Sequence, residues 1–155
     1  MEKDVNNTEK MCSDVYDFTK ESIQKFKDAG ANIGMVQVGN EITNGLLGIY
    51  SNRDKGESFN VIWGDKKKST EVNKYLKAGI KAVREYTPQA LVALHLETPN
   101  VWKYKTIMNT WKRDNVDYDV LGSSYYPFWS IAAKANTPKT LKDVQTLAAS
   151  YGKMF

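Results

Sequence analysis

Three short runs in this 155-residue chain carry side chains with useful chemistry, and each lies at the end of an apolar stretch. Gly39-Asn40-Glu41 follows Ile33 to Val38, His95 and Glu97 close Leu91 to Leu96, and Tyr125-Tyr126-Pro127-Phe128-Trp129 follows Val120 to Ser124. If the apolar stretches are parallel strands, these runs sit at their C-terminal ends, where α/β folds bind ligands, and open into one mouth. A carboxyl group beside an amide and facing aromatic rings suits glycoside hydrolysis. Glu41 can protonate a leaving oxygen, and Asn40 can hydrogen-bond a sugar hydroxyl near the reacting carbon. Trp129, Tyr125 and Tyr126 can stack on the apolar face of a sugar ring.

Each residue also has a plainer role open to it. An acid after a strand often serves as a negative charge at a helix N-terminus, which is open to Glu41. His95 can be a hydrogen-bonded core histidine, and Glu97 before Thr98-Pro99 can begin the next helix. Tyr125 and Tyr126 point opposite ways if both still belong to a strand, so that only one faces the mouth.

The elements that must position these residues alternate along the chain. Met11, Val15, Phe18, Phe26 and Ala29 share a helical face, with Ile23 at its flank, and Gly30 ends the helix. Ile33 to Val38 is apolar on both faces apart from Gln37, which predicts a parallel strand buried on both sides. After a long polar, glycine-bearing stretch, Ser69 or Thr70 is the expected cap of a helix. Its buried face is Val72, Tyr75, Leu76, Gly79, Ile80, Val83 and Tyr86, and Pro88 marks its exit. Leu91 to Leu96 predicts a second strand, Val101, Tyr104, Met108 and Trp111 a helix, and Tyr118 to Tyr126 a third strand. Leu141, Val144, Leu147, Ala148 and Tyr151 predict a last helix capped by Gly152, and Lys153-Met154-Phe155 the start of a strand.

That order is the pattern of right-handed crossovers in a parallel sheet, either open and doubly wound or closed as a barrel. Neither GxGxxG nor GxxxxGK[ST] follows any strand, which favours the barrel. A barrel needs eight strands and about 250 residues, so residues 1–155 are expected to be one incomplete catalytic (β/α)8 domain.

Composition excludes other classes. The 22 Lys+Arg against 18 Asp+Glu give a net charge of +4. Its densest run, Lys66-Lys67-Lys68, has Asp65 and Glu71 close by and reads as a solvated loop and the start of a helix. No basic stripe interleaved with stacking aromatics is present, so no nucleic-acid partner is expected. One cysteine, Cys12, forms no internal disulfide, and one histidine, His95, leaves a His/Cys zinc site without ligands. There is no apolar stretch of about 18 residues, so no membrane partner is expected, and no secretory pattern.

The runs Val36-Gln37-Val38-Gly39-Asn40-Glu41-Ile42-Thr43-Asn44-Gly45-Leu46-Leu47 and Tyr118-Asp119-Val120-Leu121-Gly122-Ser123-Ser124-Tyr125-Tyr126-Pro127-Phe128-Trp129 resemble the family 53 glycoside hydrolases. These are the arabinogalactan endo-β-1,4-galactanases. The resemblance extends through His95 and Leu141 to Lys153. It implies a partial (β/α)8 TIM barrel running from about helix 3 through the start of strand 7, with Ile33 to Val38 as the fourth strand. Glu41 then matches the family's acid/base and Asn40 the contact to the substrate 2-hydroxyl. His95, Asn44, Tyr125, Tyr126 and Trp129 are implied substrate-binding residues. The family's nucleophile follows a Tyr-Gly-Lys segment, here Tyr151-Gly152-Lys153, so it is expected beyond Phe155, and no Asp or Glu present matches it.

For the intact protein the resemblance implies retaining hydrolysis of β-1,4-galactan outside the cell, with no cofactor and no protein partner. Calcium, bound by some bacterial members, would lie in loops outside this segment. The sequence departs from the family after Leu46-Leu47: Gly48-Ile49-Tyr50 replaces the common Trp-Pro, which changes the contacts this loop can make. Two alternatives remain open: a non-catalytic carbohydrate-binding protein, and a related retaining glycosidase acting on another β-glycan.

Overall fold

A computed structural model of the chain describes residues 7–126 and 138–155. Its strands are β1 (Met35–Gln37), β2 (Gly45–Leu46), β3 (Ile49–Tyr50), β4 (Leu91–Leu96) and β5 (Val120–Ser123). Its helices are α1 (Thr8–Asp28), α2 (Asn60–Trp63), α3 (Lys66–Tyr86), α4 (Val101–Arg113) and α5 (Pro138–Ser150).

The main sheet is parallel, in the order β1-β4-β5. Met154 extends it by a parallel bridge to Val120, with Leu121 N–H donating to Met154 O at 2.8 Å. Each strand therefore lies beside the previous one of this sheet, and the order never reverses. A doubly wound sheet would show a reversal at its switch point, whereas consecutive order is that of a barrel wall. The helices follow suit, α1 packing on α3, α3 on α4 and α4 on α5.

Alternation along β4 divides the sheet's two faces. Val92, Leu94 and Leu96 are fully buried against the helical layer, in one core with Leu76, Ile80 and Val83 of α3 and with Ile107, Met108 and Trp111 of α4. Leu91, Ala93 and His95 point the other way, into the concave side.

Several expectations need correction. The strand expected over Ile33 to Val38 is short, and of its central residues Met35 is 50% exposed. It lies at the sheet margin, so only the face carrying Val36 and Val38 is covered. Phe18 and Phe26, expected on the buried face of α1, are 62% and 63% exposed, while Met11 and Ile23 are buried. α1 packs on α3, which covers a narrower stripe than the sequence offers. Helix α3 begins before Ser69: Asp65 is its cap, accepting from Lys68 N at 3.0 Å, and the lysine run lies inside the helix. Ser69 instead turns its hydroxyl back to Asp65 O.

The polar stretch before α3 is also structured. Leu47 (φ 49°) and Gly48 (φ 89°) form the two-residue turn of a β2–β3 hairpin, in which two successive positive φ values match the twist of the strands. Trp63, at the end of α2, donates its indole N–H to Thr43 O at 2.7 Å and ties this excursion to the segment after β1.

Candidate active site

The C-terminal end of β1 turns sharply. Val38 still donates to Ala93 O, and the chain then bends at Gly39 (φ 80°), where a Cβ would stand 2.6 Å from Ile42 Cγ2. Glu41 follows in a left-handed conformation (φ 49°, ψ 47°), a strained geometry for a residue with a Cβ. Ile42, fully buried, and Thr43, 2% exposed, anchor the next turn. The strained residue is thus held from both sides.

Glu41 stands at the start of the one-turn 3-10 helix Ile42–Asn44, yet its side chain makes no capping bond there. Its Oε1 accepts instead from Ser124 Oγ at 2.5 Å, just past the end of β5. The same hydroxyl lies 3.0 Å from His95 Nε2. The other ring nitrogen, Nδ1, accepts from Glu41 N at 3.2 Å and lies 3.1 Å from Asn40 Oδ1. Gln37 on β1 donates to that same Asn40 oxygen at 3.1 Å. Three adjacent strands therefore place Asn40, Glu41, His95 and Ser124 in one hydrogen-bonded cluster.

Register explains the convergence. His95 pairs with Gly122, whose missing side chain makes room for the ring: a Cβ there would lie 3.2 Å from His95 Cδ2. Ser124, two residues on, shares that concave face and is fixed by its N–H to Leu96 O. The preceding Ser123 bonds the Tyr104 hydroxyl of α4 at 2.8 Å, which braces the strand end from the helical side. Burial pushes the Tyr104 phenol above its ordinary range, so it stays protonated.

A second polar group flanks the cluster. Asn44 donates to Glu97 Oε1 at 2.9 Å and accepts from Ser51 Oγ at 3.2 Å, and Glu97 N bonds Thr43 Oγ1. Lys103 donates to Glu97 O at 2.7 Å; burial pushes its ammonium group down, against the opposing charge of Glu97. Glu97 does not cap α4, since Asn100 does.

Of the residues singled out in the sequence, Asn40, Glu41 and His95 come together. Asn44 lies beside them, bonded to the protein on both sides of its amide. Tyr125 and Tyr126 both follow the end of β5, 39% and 53% exposed, so the strand alternation expected of them does not apply. Trp129, with Pro127 and Phe128, lies outside the described residues. Ser124 has no role in the sequence reading. Counting by twos from Gly122, beside His95, would have found it, but that requires the β4–β5 register. Among the described residues, no three His, Cys, Asp or Glu side chains gather into a metal cage.

With this geometry in view, known proteins offer a comparison. The sequence profile of glycosyl hydrolase family 53 matches residues 2–154. The chain is 39% identical, over 140 residues, to an endo-β-1,4-galactanase of Bacillus subtilis, covering 90% of this chain and 28% of that protein. It is 27% identical to an arabinogalactan endo-β-1,4-galactanase of Humicola insolens, covering 97% of this chain and 42% of that protein. Among solved structures, the family 53 catalytic domain of Ignisphaera aggregans superposes with a TM-score of 0.74 at 26% identity, over 95% of this chain and 36% of that one. A fungal β-1,4-galactanase superposes with a TM-score of 0.70 at 25% identity, over 97% of this chain and 42% of that one. The chain thus spans well under half the length of each.

Proposed function

This chain belongs to glycosyl hydrolase family 53, and from that premise we propose that it is the part of a retaining endo-β-1,4-galactanase that carries the acid/base, Glu41. The observation that carries the reading is the position of the Glu41 carboxylate. It stands at the C-terminal end of a parallel barrel wall beside Asn40, bonded to Ser124 rather than spent on a helix cap.

Retention needs two carboxyl groups about 5 to 5.5 Å apart, one attacking the anomeric carbon and one protonating the leaving oxygen. Glu41 is the proton donor in the first step and the base that activates water in the second. The nucleophile belongs after Tyr151-Gly152-Lys153, on the strand that Met154 begins by pairing with Val120. Asn40 hydrogen-bonds the substrate 2-hydroxyl, a contact that strengthens in the transition state. Tyr125 and Tyr126, both exposed, supply ring surface for the sugar chain, together with Trp129.

We take the substrate to be β-1,4-galactan or arabinogalactan, after the names of the relatives, and the enzyme to act outside the cell, where a polymer too large to enter is cut. No described helix is long and apolar enough to cross a membrane. Product analysis on galactan, mannan and cellulose tests the sugar.

The test of Glu41 is Glu41→Gln in a full-length protein carrying this segment. General acid catalysis contributes about 10²–10⁴-fold, so galactan cleavage should fall by that order. Release of a dinitrophenolate, which needs no proton, should persist in the first step. Unchanged galactan turnover would remove Glu41 from the mechanism.

A further inference from the structure

Ser124 Oγ lies between Glu41 Oε1 (2.5 Å) and His95 Nε2 (3.0 Å). A hydroxyl has one proton and donates to one of them, so the protonation of His95 decides the direction. The backbone N–H of Glu41, which can only donate, meets Nδ1 at 3.2 Å. Nδ1 is therefore the bare nitrogen, and Nε2 carries the proton. Asn40 Oδ1 favours the opposite tautomer from 3.1 Å, but it is already supplied by the amide N–H of Gln37. The sequence of donations is then His95 Nε2–H to Ser124 Oγ, and Ser124 O–H to Glu41 Oε1.

We infer that Ser124 and His95 are positioning residues that set which oxygen of Glu41 carries its acidic proton. Oε1, already an acceptor from Ser124, stays bare, and the proton resides on Oε2. This inference rests on the reading of Glu41 as the acid/base. In the first step the nucleophile carboxylate bonds C1 as the C1–oxygen bond breaks, its electrons go to the glycosidic oxygen, and that oxygen takes the Oε2 proton and leaves as a hydroxyl. The Glu41 carboxylate left behind keeps the donation from Ser124, which stabilises its charge. In the second step a water oxygen bonds C1, the C1–nucleophile bond breaks with its electrons returning to the nucleophile carboxylate, and the water proton returns to Oε2. Neither Ser124 nor His95 gives up a proton in either step.

The surroundings hold the relay in register. Gly122 lets the imidazole lie against the β5 backbone, Ser124 N–H is fixed on Leu96 O, and the left-handed conformation of Glu41 accompanies the aim of its N–H at Nδ1.

The test uses the full-length enzyme that carries this segment. Ser124→Ala should lower kcat on galactan about tenfold or more, a part of the general-acid contribution, with KM little changed. The loss should shrink to less than about threefold in the glycosylation step of a dinitrophenyl β-galactobioside, whose leaving group needs no proton. In the unsubstituted enzyme, nitrogen-15 NMR of labelled histidine should show neutral His95 as the Nε2–H tautomer, its signals identified by their loss in His95→Gln. Equal losses on both substrates, no loss on galactan, or an Nδ1–H tautomer would each overturn the relay. Should Ser124→Ala fail to fold, the tautomer decides alone. An active Glu41→Gln enzyme refutes the acid/base reading itself. An inactive Glu41→Gln beside a fully active Ser124→Ala refutes only the relay.

Discussion

Asp119 joins three elements through one residue. Its carboxylate takes two bonds from Arg84 of α3, at 2.9 and 3.1 Å, and a third from Val92 N of β4 at 2.7 Å. Its backbone N–H donates to Val92 O, and its carbonyl accepts from Met154 N. Arg84, chiefly, holds the carboxyl below its ordinary 3.8, with the Val92 N–H adding to the effect. Asp119→Ala leaves the Val92 N–H without its partner and the Arg84 guanidinium with Asp117 alone, and hydrogen bonds to charged groups contribute about 1.5–3 kcal/mol. The expected loss is about 2 kcal/mol at neutral pH, read from the urea midpoint. Because the folded pKa is depressed, the stabilisation is complete above the unfolded value and fades as pH falls through the folded one. The gap between the two proteins should therefore narrow below pH 3.8; a gap constant through that window would take the charge out of the account. Like Ser124, this residue stands in a run that the sequence singles out, but its role is not legible there. An acid before a strand is common, and what distinguishes this one is a partner 35 positions away.

At the scale of elements, Gly79 shows why α3 sits where it does. Glycine inside a helix costs about 1 kcal/mol relative to alanine, yet here a Cβ would lie 2.9 Å from Val38 Cγ1 and 3.4 Å from Val15 Cγ1. The glycine lets α3 approach both α1 and the strand end that carries Asn40 and Glu41. Gly79→Ala should therefore destabilise the fold by about 1–3 kcal/mol through overpacking, despite the better helix former. A raised thermal midpoint would refute this. The predicted core face of α3 was readable because Val72, Leu76, Ile80 and Val83 repeat at the helical period. β4 was readable because a run of six that is apolar except for His95 has few other uses. The cap of α3 was misplaced because aspartate and serine cap equally well, and only the bond from Lys68 N decides between them. The β2–β3 hairpin was missed because two-residue strands carry no period, and Leu47 is an unusual residue for a positive φ. Within the site, strand ends located Asn40, Glu41 and His95, but their mutual bonds depend on register, which no single run encodes.

At the scale of the whole molecule, the 155 residues form a segment of wall with consecutive strands and a helical layer on one side. The outer edge of β1 has no strand beside it among the described residues. Next to that edge lies an apolar groove of about 630 Å³, lined in part by Phe18, Phe26 and Met35. Unpaired strand N–H and C=O groups beside exposed apolar surface favour pairing between chains. Prepared alone, the 155-residue chain should therefore show, by light scattering, a mass above its 17.6 kDa that grows with concentration. Met35→Lys with Phe18→Glu should move it toward the monomer, because charges on an edge and its flank oppose association. A full-length enzyme of which this wall is one part should show no such dependence at the same concentrations. The two substitutions should there cost stability instead, since the same surfaces would then be covered. A monomeric 155-residue chain that unfolds in one sharp transition would contradict this, and would favour the non-catalytic carbohydrate-binding alternative, in which the exposed tyrosines act without a second carboxylate.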